Sequence, residues 1–296
     1  MNNTVKNRSE LIFLYDLKYA NPNGDPMDAN RPRIDEDSNH CLVTDVRLKR
    51  TIRDYFINHG YDGTEGGIGD IFIRDEDGKP VTGKKRGDSY KDSDEFKSKF
   101  IDVRLFGGVS AVEKKKFNFT GPVQFGMGRS LHPVKENFIK GTGAFATKEG
   151  AEQRTFREEY NITYGLIGFH GIINENAAKH TDLQEKDIAV LLEGIWKGTK
   201  DLISRSKKGH MPRLLIKIDY QPGFYIGDLL ELLSLDIKGE KEANQIEDVS
   251  DFIVNTTALN SMLNKHADKI ISISIEKDGR LDLSEPIINA NLLNLT

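Results

Sequence analysis

Basic side chains gather at three places in this sequence, an arrangement typical of a surface that binds a phosphate-rich polymer. Arg and Lys contact phosphate oxygens without reading a base sequence, and binding of this kind weakens as salt rises. The three groups are Arg47, Lys49, Arg50 and Arg53; Lys84, Lys85 and Arg86; and Arg205, Lys207, Lys208 and Arg213, with His210 in the last.

A helix is predicted to position the first basic group. Thr44 is a good N-cap residue, and Asp45 suits the positive end of a helix dipole. At about 100° per residue the four cations fall on the arc opposite the apolar side chains. A solvated amphipathic helix explains most such patterns, but the density of cations favours an anion-binding face here. The apolar arc contains Leu48, Ile52, Tyr55 and Phe56.

An apolar strand and a polar turn precede this helix. The apolar run from Leu11 to Tyr15 predicts a buried strand. Prolines at 22 and 26 cannot donate to a strand ladder, and Gly24 can adopt a positive φ. Asn and Asp between them favour turns that bond to their own backbone. The strand is therefore expected to end near Ala20, with exposed backbone beyond it.

Catalytic patterns are absent from the sequence. The single cysteine, Cys41, excludes an internal disulfide and a cysteine-based zinc site, and no His-Glu-x-x-His motif occurs. His40 and Cys41 are adjacent, and adjacent side chains rarely form a base and nucleophile pair. Asp25, Asp28 and Asp35 line the first loop, where turn formation is the favoured role. We predict a binding protein with no catalytic residues, no metal and no cofactor.

Composition predicts a folded, water-soluble chain. It has 296 residues, of which 37% are hydrophobic and 30% charged, which is typical of a globular protein. The formal net charge of −4 means that any nucleic acid must be held by local patches. No run approaches the roughly 18 apolar residues of a transmembrane helix, and residues 1–10 lack a signal-peptide core. We expect a cytoplasmic protein that does not associate with membranes.

The order of apolar patterns predicts an α+β fold. Strand, helix, strands and then strand, helix, strand is the ferredoxin-like order shared by RNA-recognition folds. No RNP1 motif is present, so base stacking on the sheet is not predicted. Two long irregular stretches, residues 60–99 and 135–157, are interpreted as insertions, the second as a mobile hairpin or arm. The core elements are predicted at residues 10–17, 45–58, 117–125, 164–173, 183–203, 214–220 and 270–275.

Five motifs in this order resemble one known family over nearly the whole chain. Together they are similar to the backbone subunit of the type I CRISPR surveillance complex Cascade, the Cas-seven family, in its type I-B, Csh-two-like branch. The motifs are residues 21–26 with Arg31-Pro32-Arg33; residues 43–50; residues 102–107; residues 121–125; and residues 204–206 with residues 211–215.

The resemblance implies a ferredoxin-like, RNA-recognition-like palm with two large insertions called fingers and thumb. The palm would comprise residues 1–59, 101–133 and 161–296, the fingers residues 60–100, and the thumb residues 134–160. Copies of the family stack as a helical filament along the crRNA, and the thumb kinks the guide. Bases between kinks remain free to pair with target DNA, and other Cascade subunits complete the assembly.

The resemblance also implies which residues contact RNA. The basic helix and the loop at 205–213 would hold phosphates, and Phe145 or Met127 would wedge at a kink. The expected RNA-binding set is Asn23, Gly24, Arg47, Lys49, Arg50, Arg53, Gln124, Met127, Arg129, Phe145, Arg205, Lys207, Lys208 and Arg213.

One alternative belongs to the enzyme class. Backbone subunits of type III complexes resemble this fold and cleave target RNA with a loop aspartate, for which Asp25 or Asp35 would be the candidate. The motifs favour the non-catalytic type I branch.

Overall fold

The computed structural model describes residues 3–76, 79, 81, 85–86, 90–110, 117–146 and 154–295, with only the backbone at 142–146 and 154–157. These residues form a mixed α+β fold with six α-helices and a large central sheet. The helices are α1 (Asp45–Asn58), α2 (Ser93–Lys99), α3 (Ile101–Phe106), α4 (Glu175–Thr181), α5 (Glu185–Lys200) and α6 (Thr257–Lys265). None of them has the length and apolarity needed to cross a membrane.

The strands are β1 (Arg8–Ala20), β2 (Gly24–Asp25), β3 (Arg31–Pro32), β4 (His40–Val43), β5 (Gly107–Ser110), β6 (Phe117–Thr120), β7 (Val123–Phe125), β8 (Gly128–Pro133), β9 (Glu136–Ala146), β10 (Arg154–Ile173), β11 (Met211–Tyr220), β12 (Ser234–Ile237), β13 (Phe252–Asn255), β14 (Ile270–Lys277) and β15 (Ala290–Leu292). The central sheet has the order β15-β14-β11-β1-β10-β8-β4, and β7 and β9 also pair with β10. In the run β11, β1, β10 and β8, each strand is antiparallel to its neighbours.

The central strand β1 is buried on both faces. Leu11 and Phe13 point into a core shared with α1 and α5. Ile12 and Leu14 point into a second core shared with α6 and the C-terminal strands. A strand covered on both faces needs apolar residues at successive positions, which accounts for the continuous run in the sequence. The predicted strand and its end at Ala20 are confirmed.

Both predicted helices of the core are confirmed. The apolar arc of α1 is buried, including Ile52 and Phe56, and it packs against α5, where Gly194 leaves room for the Phe56 ring. A Cβ on Gly194 would lie 2.9 Å from that ring. The close approach of the two helices therefore depends on a small residue in α5.

The stretch interpreted as irregular, residues 135–157, is mostly β-strand where it is described, with one register shift between Arg154 and Phe156. β9 pairs with the first half of β10 in an antiparallel hairpin, with Lys140 opposite Glu158 and Phe138 opposite Tyr160. The rings of Phe138 and Tyr160 stack with centroids 4.7 Å apart. The predicted hairpin is confirmed, but the predicted irregularity is wrong because aromatic cross-strand pairs extend the ladder beyond the sheet.

The residues between α1 and β6 contain a small aromatic core of their own. Phe72, Tyr90, Phe96 and Phe100 pack together, and partly buried Phe117 joins them. Phe96 and Phe100 lie four residues apart, which is a helical spacing, but the charged residues around them hid that pattern in the sequence. Lys84, from the second basic group, lies outside the described residues.

Candidate functional site

The polar turn after β1 is tied directly to the start of α1. Thr44 accepts a hydrogen bond from the backbone N–H of Arg47 at 3.2 Å, which confirms it as the N-cap. The Asn23 side-chain oxygen accepts from both the backbone N–H and the hydroxyl of Thr44, each at 2.9 Å. Asn23 therefore fixes the helix entry, and its amide oxygen is engaged inside the protein.

Gly24 is required for a different reason than the sequence suggested. It does not adopt a positive φ. Instead, a Cβ at this position would lie 2.2 Å from the Asn30 side-chain oxygen and 2.7 Å from the Asn30 carbonyl oxygen. The turn therefore folds back so closely that only glycine fits.

The third basic group lies beside the same turn. The Asn21 backbone N–H donates to the Ser206 carbonyl oxygen at 2.9 Å, and the Lys207 ammonium donates to the Asn21 carbonyl oxygen. The buried His210 ring stacks on the Tyr15 ring at 5.5 Å. These contacts bring the 204–210 loop to the place where β1 ends and α1 begins.

Arg47 and Lys207 are close enough there to repel each other. Burial lowers the pKa of both, and for Lys207 the nearby Arg47 charge contributes, so that its pKa falls to about 7. Among the described side chains, neither forms an ion pair with a carboxylate. Two half-buried cations that repel each other would be stabilised by an anion placed between them.

Lys49 and Gln124 form the neighbouring part of this surface. Lys49 pairs with Asp45 at 3.0 Å, and its ammonium lies 3.5 Å from the Gln124 side-chain oxygen. The same ammonium lies over the Phe106 ring, 5.6 Å from its centre. Arg50 is half exposed and pairs with Asp54 at 2.7 Å.

Arg53 does not contribute to an exposed basic face, and that prediction is wrong. Its side chain is buried and bonded to Asp102 at 2.9 Å. Asp102 also accepts from the backbone N–H of Phe72 at 2.7 Å. Helical periodicity placed Arg53 on the arc opposite the apolar side chains, but α3, which contains Asp102, covers that part of the helix.

Arg213 is likewise committed inside the protein. It contacts Asp16 at 2.9 Å and pairs with Asp278, and its side chain is only 4% exposed. The pKa of Asp16 is raised, because burial outweighs the opposing effect of Arg213. The structure thus separates Arg213 from the exposed basic residues of the 205–208 segment.

The remaining predicted residues lie on the surface or beyond the described side chains. Lys208 and Met127 are exposed. Arg205 pairs with Glu159 at 2.8 Å and Arg129 with Glu231 at 3.3 Å, both at half-exposed sites. The Phe145 side chain lies outside the described part of the chain.

Tyr19 is a surface residue that sequence reasoning missed. It lies two residues before Asn21, and its side chain is 58% exposed. The signal was an aromatic residue next to a lysine at the end of an otherwise apolar strand.

The groups considered for catalysis are engaged in structural contacts. Burial raises the pKa of the Cys41 thiol to about 12, so a thiolate is not favoured at neutral pH. His40 lies 2.6 Å from the Ser130 carbonyl oxygen. Asp25 pairs with Arg33 at 2.8 Å, and Asp35 accepts from the Ser38 hydroxyl and backbone. No cluster of metal-ligating side chains occurs among the described residues.

Comparison with known proteins identifies the family. Residues 7–257 match the family described as CRISPR-associated protein Cas7. The chain belongs to the Cas7 family. It is 33% identical over 315 positions to the CRISPR-associated protein Cas7 of Haloferax volcanii, covering 95% of this chain and 89% of that protein. The family resemblance seen in the sequence motifs is confirmed.

Solved structures show the same fold. A chain of a "CRISPR RNA-guided surveillance complex" matches with a TM-score of 0.54 at 13% identity, covering 96% of this chain and 94% of that one. A second, from a "CRISPR RNA-guided surveillance complex, pre-nicking", matches with a TM-score of 0.55 at 11% identity and covers 96% of both chains. At these identities the likeness concerns the fold of this Cas7 protein.

Proposed function

We propose that this Cas7 protein is the crRNA-binding backbone subunit of a type I CRISPR surveillance complex, of the I-B kind. Copies stack along the guide RNA, each gripping its phosphate backbone, and leave the bases free to pair with target DNA. Base pairing then supplies the sequence specificity, while the protein recognises backbone and shape. Its partners are crRNA, target DNA through the guide, further copies of itself and other Cascade subunits. This is a cytoplasmic, non-catalytic role.

One observation supports RNA backbone binding above the others. Arg47 and Lys207 are both half-buried beside the turn between β1 and α1, a place that we call the cleft, and the Arg47 charge lowers the pKa of Lys207. Neither forms an ion pair with a carboxylate among the described side chains. Most other arginines near this surface already form an ion pair with a carboxylate. A phosphate entering the cleft would receive two charge-assisted hydrogen bonds, which are stronger than neutral ones.

The strand order supports the proposed palm. The order β11-β1-β10-β8, with neighbours antiparallel and α1 and α5 on one face, supports the assignment of a ferredoxin-like palm. The opposite face of the sheet is occupied by α6 and the separate β12–β13 pair. RNA would therefore bind at the loops and helix ends beside β1 rather than on the sheet face. Residues 60–100 and 134–160 are assigned as fingers and thumb.

The proposed RNA-contacting residues fall into two groups. The cleft residues Arg47 and Lys207 hold a phosphate, and flanking residues contact the RNA on either side, as cations or, for Met127 or Phe145, as a wedge at a kink. Arg53 and Arg213 are assigned to folding, and Asn23 and Gly24 to shaping the turn. The flanking set is Lys49, Arg50, Gln124, Met127, Arg129, Phe145, Arg205 and Lys208.

A direct test measures RNA affinity in matched variants. Arg47→Gln and Lys207→Gln are each expected to lower affinity for a crRNA-like single strand by about 10-fold. Each should also reduce the slope of log affinity against log salt concentration by about one. Lys265→Gln is the control, because Lys265 is exposed on α6, against the opposite face of the sheet. Fluorescence anisotropy over a salt series gives both quantities. Equal affinity of all three variants and the wild type would refute the assignment.

A further inference from the structure

Tyr19 has a backbone conformation that its side chain makes costly. Its φ is +49°. This is the left-handed region, which residues other than glycine, asparagine and aspartate rarely enter. It is also the one residue from Ser9 to Ala20 without a paired residue on β10, since Lys18 pairs with Tyr164 and Ala20 with Ile162. The positive φ turns Tyr19 out of the ladder that the rest of β1 forms with β10.

No contact of the Tyr19 side chain within the described part of the protein offsets this strain. The Tyr19 side chain is 58% exposed and takes part in no hydrogen bond, ring stack or cation–π contact among the described residues. An asparagine or glycine would adopt the same backbone at lower cost. A strained residue that the fold itself does not use points to a contact with a ligand.

The basic loop contacts the backbone on either side of Tyr19 in the chain. A Cβ on Gly209 would lie 4.0 Å from the carbonyl oxygen of Lys18. On the other side, the Asn21 backbone N–H donates to the Ser206 carbonyl oxygen at 2.9 Å. Tyr19 is therefore next to the segment that supplies Lys207 and Lys208. An aromatic ring beside a cationic track is the arrangement by which proteins hold single-stranded nucleic acid without sequence preference.

We infer that Tyr19 stacks against a base of single-stranded RNA whose adjoining phosphate lies at Arg47 and Lys207. The contact involves the π-face of the base, so any of the four bases is accepted. This inference rests on the proposed function, because it assumes that RNA lies along the cleft. It adds a base-stacking residue beside the cations that hold the phosphate.

The test separates the ring from the strain. Tyr19→Asn keeps a residue that tolerates the left-handed backbone and removes the ring, Tyr19→Phe keeps the ring, and Tyr19→Ala removes it. We expect the Ala and Asn variants to bind single-stranded RNA about 10-fold more weakly than the wild type, and the Phe variant to bind within about twofold. The melting temperature of the Asn variant should equal or exceed that of the wild type.

An RNA containing one abasic ribose identifies the partner of the ring. An abasic site walked along the strand should weaken wild-type binding at one position and leave Tyr19→Ala unaffected there, since the two changes remove the same contact. Wild-type affinity in Tyr19→Ala, or a loss of self-assembly in place of a loss of affinity, would overturn the inference while Arg47 and Lys207 still bound RNA. A wild-type protein that binds no RNA would overturn the proposed function as well.

Discussion

Lys207 donates its ammonium hydrogen bond to the main-chain carbonyl oxygen of Asn21, not to a carboxylate. A neutral acceptor leaves the positive charge uncompensated at a half-buried site. Burial and the neighbouring Arg47 then lower the pKa of Lys207 to about 7. In the protein without RNA, the charge of Lys207 is therefore sensitive to pH near neutrality.

This relationship predicts that RNA binding depends on pH. Phosphate favours the charged lysine, so binding takes up a proton and affinity falls as pH rises above 7, by at most roughly tenfold per pH unit. The groups facing Lys207 do not titrate there. The pKa of Cys41 is about 12 and that of His210 about 3, burial raises that of Tyr15, and Arg47 stays charged.

Anisotropy titrations between pH 6.5 and 8.5 at constant ionic strength measure this dependence. Lys207→Arg is the matched control, because an arginine remains charged throughout and should flatten the profile. An identical slope in both proteins would assign the pH dependence to another group.

The two ends of the last basic group should behave differently on substitution. Arg213→Gln leaves the buried Asp16 without its ion-pair partner, with only the Tyr164 hydroxyl still donating to it, which should cost about 3–5 kcal/mol of unfolding free energy. Lys208→Gln removes an exposed charge and should change stability by less than about 0.5 kcal/mol, while RNA affinity and its salt dependence fall. Urea unfolding and anisotropy on both variants test the contrast. A normal unfolding midpoint for Arg213→Gln would show that its ion pairs contribute little.

Local patterns predicted the scaffold of this site well, for a physical reason. The burial of β1 and the apolar arc of α1 follow directly from periodicity, and the Thr44 cap from its side-chain chemistry. These patterns did not predict which cations form ion pairs and which do not. Arg47 and Arg53 lie on the same predicted arc, yet only Arg53 meets an acid, Asp102, that is distant in sequence. Ion pairing is decided by tertiary contacts, which composition and spacing do not specify.

A buried ion pair should matter far more to folding than an exposed one. Arg104 and Asp187 form two contacts of 2.9 Å, and the Asp187 side chain is 2% exposed. Asp187→Asn should cost about 3–5 kcal/mol, because Arg104 would remain buried without its counter-ion. Glu231→Gln removes the exposed pair with Arg129 at 3.3 Å. It should cost only about 0.5 kcal/mol of unfolding free energy. Chemical unfolding of the two variants, followed by circular dichroism, measures both; similar costs would refute the ranking.

The loop aspartates should not cleave RNA. Asp25 is paired with Arg33, and Asp35 with the Ser38 turn, so each has a structural role already. We expect a complementary RNA to remain intact when incubated with the RNA-bound protein and magnesium. Regularly spaced products in the wild type that vanish in Asp25→Ala or Asp35→Ala would instead favour the type III-like alternative.

The close approach at Gly24 predicts a steric cost for any added side chain. In Gly24→Ala the new Cβ would meet two Asn30 oxygens at 2.2 and 2.7 Å, so the turn must open, at about 1–3 kcal/mol. Asn30→Ala should restore only part of the loss, because the backbone oxygen remains. Gly141→Ala is the control, since a Cβ there meets nothing within 4 Å. Thermal unfolding of the single and double variants gives the values. A fully restored double variant would mean that the side chain of Asn30, rather than its backbone, sets the geometry that holds Asn23 against Thr44.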